Sequence, residues 1–184
     1  NYGTFDEKRI FAPGPLPEPI DFQGVKIGVP ICEDIWQEIV CAHLADAGAE
    51  MLLVPNGSPY ELDKDDKRYR LVRSRALQTE LPIAYLNRVG GQDELVFDGG
   101  SFVLSSAGKL QARLLAFQED SAVTRWQKAA DGWACEPARI EPELVAEASM
   151  YQAMVLGLRD YVEKNRFPGV VLGLSGGIDS AISA

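Results

Sequence analysis

Residues 25–36 read Val-Lys-Ile-Gly-Val-Pro-Ile-Cys-Glu-Asp-Ile-Trp, a short apolar run followed at once by a cysteine and two acidic residues. The run from Val25 to Ile31 is typical of a buried β-strand. Acidic residues suit the positive end of a helix, so Glu33 and Asp34 predict a helix that starts directly after the strand. The stretch therefore predicts a sharp strand-to-helix elbow that presents Cys32 to a cleft.

A cysteine at such an elbow has two interpretations. The helix N-terminus favours a thiolate at Cys32, which would be a nucleophile for acyl transfer through a thioester intermediate. Free cysteines are also among the most buried residue types, so a small core residue is the alternative. Cys41, in the following helix, and Cys135, in a later linker, are predicted to be structural or incidental. The one histidine, His43, is predicted to be a solvated or packed helix residue.

Strand and helix patterns alternate outward from this elbow. Helical periodicity is present at residues 35–47 and 64–80, and apolar strand-like runs occupy residues 51–54 and 83–86. Short antiparallel strands are then predicted at residues 95–97, 101–104, 111–115 and 123–126. Periodicity fails at residues 129–142, which predicts a linker before a helix at 143–165 and a buried strand at 170–174. This order favours an α/β layered fold.

Composition restricts the class of protein. The 184 residues include 18 Lys+Arg and 27 Asp+Glu, which gives a formal net charge of −9. An acidic chain argues against binding to the nucleic-acid backbone or to an anionic membrane surface. No apolar run reaches the roughly 18 residues that a membrane span needs. The three cysteines have no framework spacing, so we expect a cytoplasmic protein in a reducing compartment.

A second motif reads Gly-Leu-Ser-Gly-Gly-Ile-Asp-Ser at residues 173–180, after the last predicted strand. Glycines let the backbone approach a phosphate, and free N–H groups at a helix start point at the anion. Ser175 and Ser180 add hydroxyl donors, and Asp179 can hold Mg²⁺. The lysine of a Walker A loop is absent. The motif predicts a phosphate-binding loop of another type, with an ordinary strand-to-helix turn as the alternative.

The two motifs, in this order, resemble the glutamine-dependent NAD synthetases, in which a nitrilase-like glutaminase domain precedes a PP-loop synthetase domain. Four further stretches resemble the same family: residues 1–9, 56–60 with Lys64, 87–94 and 97–101. The resemblance implies the C-terminal part of a nitrilase-type αββα sandwich over residues 1–130 and a linker with a connecting helix over 131–168. Residues 169–184 are then the first strand and phosphate loop of a Rossmann-like PP-loop domain.

The resemblance also implies roles for individual residues. It makes Cys32 the glutaminase nucleophile and Tyr2, Ser58 and Lys64 the glutamine contacts. Without the resemblance, these last three would be a packed aromatic, a turn former and a solvated lysine. The implied ATP-phosphate contacts are Gly173, Leu174, Ser175, Gly176, Gly177, Ile178, Asp179 and Ser180. Asp179 is also the implied ligand of Mg²⁺.

The implied function is that of a carbon–nitrogen ligase in NAD biosynthesis. Glutamine hydrolysis supplies ammonia for the ATP-dependent amidation of nicotinic acid adenine dinucleotide to NAD, with release of AMP and pyrophosphate. The family assembles into homo-oligomers, so the resemblance implies a homo-oligomer with no nucleic-acid or membrane partner. Three alternatives stay open: a stand-alone nitrilase-type amidase, a non-catalytic module of that fold, and a different PP-loop ligase fed by glutamine.

The family's glutaminase triad consists of Glu, Lys and Cys, and the first two are expected upstream of Asn1. Glu33 and Lys8 are therefore not assigned to these roles. Without the lysine and the general base a thiol loses its activation, so we expect negligible amidase activity from these 184 residues alone. The chain is expected to be the central slice of a longer enzyme.

Overall fold

A computed structural model describes residues 9–62, 64–130 and 132–184, with the side chains of residues 64–66 outside the described part. A 3₁₀ helix spans Cys32–Trp36. The strands in chain order are β1 (Ile20–Phe22), β2 (Val25–Gly28), β3 (Met51–Asn56), β4 (Ile83–Asn87), β5 (Val89–Gln92), β6 (Leu95–Asp98), β7 (Phe102–Leu104), β8 (Leu110–Arg113), β9 (Trp126–Ala129) and β10 (Gly132–Cys135). The α-helices are α1 (Glu38–Asp46), α2 (Lys64–Thr79), α3 (Ala146–Lys164) and α4 (Ile178–Ser183).

A six-stranded sheet in the order β1-β2-β3-β4-β7-β8 forms the centre of the fold. Strands β2, β3 and β4 are parallel, with Ile27 opposite Met51 and Leu52 opposite Ile83. Strands β1, β7 and β8 pair antiparallel at the two sides. Helices α1 and α2 make the return connections that parallel strands require. The carboxyl ends of β2, β3 and β4 consequently share one edge of the sheet.

The main core lies between this sheet and helices α1 and α2. Leu44 of α1 and Val72 and Ala76 of α2 are fully buried against Leu52 and Ile83 of the sheet. Strand side chains alternate between two faces, so the neighbours of these core residues point away from the helices. The hairpin of β9 and β10 covers part of that second face through a small cluster of Val103, Ala112 and Cys135.

Helix α3 packs against the hairpin of β5 and β6. The Gly91 N–H donates to Asp160 Oδ2 at 2.7 Å, and Lys164 Nζ donates to the Gly91 carbonyl at 2.5 Å. A Cβ on Gly91 would lie 3.1 Å from the Gly157 Cα. Because neither glycine has a side chain, α3 can approach β5 this closely. Among the described helices, none combines the length and apolarity that crossing a membrane would require.

The α/β fold class is confirmed, and several local predictions differ from the structure. The strand predicted at 123–126 forms three residues later, as β9. The helix after the elbow is divided into the 3₁₀ helix and α1 at Gln37. The predicted linker at 129–142 contains β10, which pairs with β9. The predicted strand at 170–174 is not formed, and its Val171 and Leu174 are exposed. A strand needs a neighbour for its backbone hydrogen bonds, and no described strand lies beside this segment.

Candidate active site

The predicted nucleophile and one predicted glutamine contact lie at the same edge of the sheet. Cys32 follows the carboxyl end of β2, and Ser58 follows the carboxyl end of β3. The 3₁₀ helix that begins at Cys32 packs against β3. In open α/β sheets, ligands bind outside the carboxyl ends of the strands. The topology therefore brings the two residues to the edge where α/β proteins build their sites.

Cys32 occupies a constrained elbow. Its φ is 51°, in the left-handed region that residues with a side chain rarely adopt. The turn is closed from both sides, because the Ile31 N–H donates to Asp34 Oδ2 at 2.9 Å and the Asp34 N–H donates to the Ile31 carbonyl at 3.0 Å. The thiol is free and half-buried. A strained backbone at a strand-to-helix turn is typical of exposed nucleophiles.

Ser58 carries a buried hydroxyl without a partner. The residue is 1% exposed, and Ser58 Oγ has no hydrogen-bond partner within the described part of the chain. Its backbone N–H donates to Asn87 Oδ1 at 3.1 Å. Asn56 Nδ2 donates to the same oxygen at 3.2 Å, so one amide side chain holds both ends of the turn from Asn56 to Ser58. Buried hydroxyls are normally hydrogen-bonded, so Ser58 Oγ has unused hydrogen-bonding capacity in this structure.

A buried polar network supports this turn from behind. Asn87 Nδ2 donates to the Gly99 carbonyl at 3.0 Å, and the Asn87 N–H donates to Ser101 Oγ at 2.9 Å. Arg68 of α2 forms a bidentate pair with Asp98, both contacts being 2.8 Å, with side chains 3% and 1% exposed. Bidentate charge-assisted hydrogen bonds are short and directional, so the network fixes the turn at the end of β3.

The sequence alone predicts no role for Asn87, Asp98 or Arg68. The partners of each residue lie far along the chain: Arg68 and Asp98 are 30 residues apart, and Asn87 and Ser58 are 29 apart. The available signal was the position of a polar residue at the end of an apolar strand, as with Asn87 after Ile83–Leu86. Such positions reach the functional edge of a parallel sheet.

Two predicted glutamine contacts are not described by the structure. Tyr2 lies outside the described residues. Lys64 is the first residue of α2, and its side chain also lies outside the described part. Their roles stay predictions. The start of α2 nevertheless follows the Ser58 turn by only a few residues in the chain.

The other thiols and the histidine are located away from this turn in the sequence and pack as ordinary residues. Burial raises the pKa of the Cys41 thiol to about 11, although Arg75 acts in the opposite direction. Burial also raises the pKa of Cys135, which packs in the cluster under the β9–β10 hairpin. Both thiols are therefore held in the unreactive protonated form at neutral pH. His43 Nε2 lies 3.3 Å from Glu18 Oε1 at the surface.

The predicted phosphate loop is exposed and internally hydrogen-bonded. Ser175 Oγ lies 3.0 Å from Ser180 Oγ, and the Gly177 N–H donates to Ser175 Oγ at 3.3 Å. Ser180 Oγ also lies 3.0 Å from the Gly177 carbonyl, to which it can donate. Helix α4 begins directly after Gly177, with Asp179 in its first turn. The segment forms a turn and helix start, although the strand predicted before it is absent.

A cleft of about 460 Å³ adjoins Asn56 and Asn87 at the same edge of the sheet. Arg88 and Asp120 also line it. Its volume is in the range of small-molecule sites. Its described lining includes neither Cys32 nor Ser58, so the cleft is not by itself the pocket of the nucleophile. The assignment of the site therefore rests on the elbow and the Ser58 turn.

The fold and the cysteine elbow agree with a family comparison. Residues 1–131 match the family model of carbon–nitrogen hydrolases, and the chain belongs to this family. A second model, NAD synthase, matches residues 150–184. The occurrence of both matches in one chain supports a relationship to glutamine-dependent NAD(+) synthetases over a stand-alone amidase.

Individual relatives also support the relationship to glutamine-dependent NAD(+) synthetases. The chain is 48% identical over 181 residues to a glutamine-dependent NAD(+) synthetase of Rhodobacter capsulatus, covering 98% of this chain and 33% of that protein. The structure is similar to that of the glutamine-dependent NAD(+) synthetase of Acinetobacter baumannii in complex with ADP, with a TM-score of 0.90 and 42% identity. That match covers 100% of this chain and 34% of the other chain. The chain thus spans about a third of the length of these relatives.

An amidase of the nitrilase superfamily from Nesterenkonia is also similar, with a TM-score of 0.53 and 30% identity over 61% of this chain and 42% of that chain. In a mutant of that amidase, the acetamide moiety of fluoroacetamide is attached covalently to the active-site cysteine. The hydrolase part of the chain therefore has a structural relative in which a cysteine is the reactive group.

Proposed function

We propose that this chain works as part of a glutamine-dependent NAD(+) synthetase, a ligase that uses glutamine as the amido donor. The observation that carries the proposal is the constrained elbow of Cys32 at the same sheet edge as the unpartnered Ser58 hydroxyl. The NAD synthase match at residues 150–184 supports a second activity in the same protein. An acidic chain with free cysteines supports a cytoplasmic location.

In the proposed glutaminase reaction, the Cys32 thiolate adds to the side-chain amide carbon of glutamine. The carbon–nitrogen bond then breaks, ammonia leaves with the proton that the Cys32 thiol lost on ionising, and a glutamyl thioester remains on Sγ. Water adds to this thioester and releases glutamate and the thiol. The Ser58 hydroxyl hydrogen-bonds glutamine, with Tyr2 and Lys64 as further contacts. Lys64 would pair with the substrate carboxylate.

In the proposed synthetase reaction, residues 173–180 bind the phosphates of ATP. The carboxylate of nicotinic acid adenine dinucleotide attacks the α-phosphate, and pyrophosphate leaves. Ammonia then displaces AMP and gives NAD. The donor set suits Mg²⁺, because Asp179 carries an exposed carboxylate and belongs to the same short segment as Ser175 and Ser180, whose hydroxyl oxygens lie 3.0 Å apart. Asp179 would hold this ion, which neutralises charge on the phosphates when bound.

Substitution Cys32→Ala in the complete synthetase tests the proposal. We expect glutamine-dependent NAD formation to fall by at least about 10³-fold, because the nucleophile is lost. Formation of NAD from free ammonia should be unchanged, since the synthetase site does not use the thiol. Both are measured as NAD and AMP production from nicotinic acid adenine dinucleotide and ATP.

Cys135→Ala is the matched control, because Cys135 is a buried thiol in the cluster under the β9–β10 hairpin. It should keep both activities. Glutamine use by Cys32→Ala at the rate of the unaltered enzyme would disprove the assignment of the nucleophile. An absence of NAD formation from either nitrogen source in the unaltered protein would disprove the ligase function.

A further inference from the structure

Helix α2 carries two buried arginines. Arg68 is 3% exposed and Arg75 is 6% exposed. They are seven residues apart, about two helical turns, so they project from the same side of the helix. Arginine is almost never fully buried unless it is paired. The partners of these two side chains therefore indicate what the helix holds in place.

Arg75 binds the end of the 3₁₀ helix that begins at Cys32. Its Nε donates to the Ile35 carbonyl at 2.9 Å, and its Nη2 donates to the Trp36 carbonyl at 2.9 Å. The last carbonyls of a helix have no partner within the helix, so Arg75 satisfies two of them. Asp34 binds the Ile31 N–H on the other side of Cys32. The strained residue is therefore held from both directions.

Arg68 binds near the second part of the proposed site, the turn that carries Ser58. Its bidentate pair with Asp98 places the guanidinium beside the polar network of Asn87, whose Nδ2 lies 3.4 Å from Asp98 Oδ1. Arg68 Nη2 also donates to the carbonyl of Pro59 at 3.4 Å. Pro59 directly follows Ser58, so Arg68 contacts the turn that carries the unpartnered hydroxyl.

We propose that Arg68 and Arg75 are positioning residues of the glutaminase site, and that α2 sets the relation between the nucleophile and the glutamine-binding turn. This inference rests on the proposed function of Cys32 and Ser58. A planar guanidinium can donate to two carbonyls or to both oxygens of a carboxylate at once, which an ammonium group cannot do in the same geometry. A misplacement of about 1 Å in a reacting group can cost about 100-fold in rate.

Arg75→Lys in the complete synthetase tests the half of the proposal that concerns the nucleophile. Lysine keeps the charge but cannot hold both carbonyls, so the Cys32 elbow relaxes. We expect kcat for glutamine hydrolysis to fall by about 10-fold or more, with KM for glutamine within about 2-fold of the unaltered value. The rate of NAD formation from ammonia should be unchanged.

Arg68→Lys tests the half that concerns the substrate turn. Lysine keeps a cation beside Asp98 and loses the second donor, so the turn at Ser58 loosens. We expect KM for glutamine to rise by about 5-fold or more, with a smaller change in kcat. Arg73→Lys is the matched control, because Arg73 is an exposed arginine on the same helix. Its glutamine and ammonia kinetics should both be unchanged.

The outcomes separate this proposal from the one on which it rests. If Cys32→Ala still uses glutamine, the proposed nucleophile is wrong. If Cys32→Ala loses glutamine use while Arg75→Lys and Arg68→Lys keep unaltered kcat and KM, only the positioning role is wrong. A parallel loss of glutamine-dependent and ammonia-dependent activity in Arg75→Lys would likewise overturn it, because such a loss reflects a general structural role.

Discussion

Cys32 is the proposed nucleophile, and its backbone conformation depends on the residues around it. A φ of 51° is unfavourable for a residue with a Cβ, and such strain persists only where the surroundings hold it. Here the surroundings are Asp34, which closes the turn, and Arg75, which binds the end of the 3₁₀ helix. The backbone of Cys32 is consequently held by one contact within the elbow and by another from helix α2.

Gly28, four residues before Cys32, is constrained by packing and not by its backbone torsion. Gly28 is the last residue of β2, and a Cβ on it would lie 2.6 Å from Leu52 Cδ2 and 3.2 Å from Leu44 Cβ. Both leucines are fully buried between the sheet and α1. The close approach of β2 to this core therefore requires glycine at position 28.

We expect Gly28→Ala to destabilise the fold by about 1–3 kcal/mol, because a methyl group would overpack the core. Urea unfolding of the complete protein measures the change. Gly14→Ala is the control, since nothing lies within 4 Å of a Cβ at that position. Equal midpoints for the two variants would contradict the packing explanation.

At the scale of elements, one contact outside the central sheet joins α3 to the β5–β6 hairpin. Burial alone would raise the pKa of Asp160, but the Gly91 N–H and the Lys164 ammonium outweigh this effect and lower it. A carboxyl group whose pKa is lower in the folded state stabilises that state above its unfolded pKa. This contribution is lost as the pH falls through the lower, folded value.

Asp160→Asn should therefore reduce stability at neutral pH by about 1.5 kcal/mol, the typical contribution of a hydrogen bond to a charged group. The difference from the unaltered protein should shrink as the pH falls below about 4, where the aspartate begins to be protonated. Thermal unfolding at a series of pH values measures it. Glu163→Gln, at an exposed position on the same helix, should show no such difference. An effect of Asp160→Asn that does not change with pH would contradict a stabilising role of the charged Asp160 carboxylate.

At the scale of the whole molecule, the sheet is covered unequally. One face packs on α1 and α2, whereas Leu53 and Leu86 on the other face are 36% and 60% exposed. An apolar sheet face normally packs against another layer. In the αββα sandwich that the sequence resembles, that layer is a second sheet. We expect this second sheet to cover Leu53 in the complete protein.

Leu53→Glu should accordingly destabilise the complete protein by more than about 2 kcal/mol, because it would bury an unpaired charge between two sheets. Leu77→Glu is the control, since Leu77 is 47% exposed on the outer side of α2 and should change stability by about 0.5 kcal/mol or less. The melting temperatures of the two variants measure the difference. Equal melting temperatures would show that the Leu53 face stays open.

Much of the fold was predictable because its signals are local. The apolar runs of β3 and β4, the helical periodicity of α2 and α3, and the elbow at Cys32 are all properties of neighbouring residues. The hairpin strand β10 was missed, because Gly132–Cys135 has little apolar alternation and is stabilised by pairing with β9. The segment 170–174 has the apolar composition of a strand but no neighbour with which to pair.

The sequence by itself predicted the alternation of strands and helices from β2 to β4, the position of the proposed nucleophile and the two motifs that identify the family. Only the tertiary structure decided how the site is held. Asn87 holds the Ser58 turn, Arg68 pairs with Asp98, and Arg75 binds the end of the helix that Cys32 begins. These contacts join residues about 30 to 40 positions apart, and they form only because parallel strands bring their carboxyl ends to one edge, beside α2.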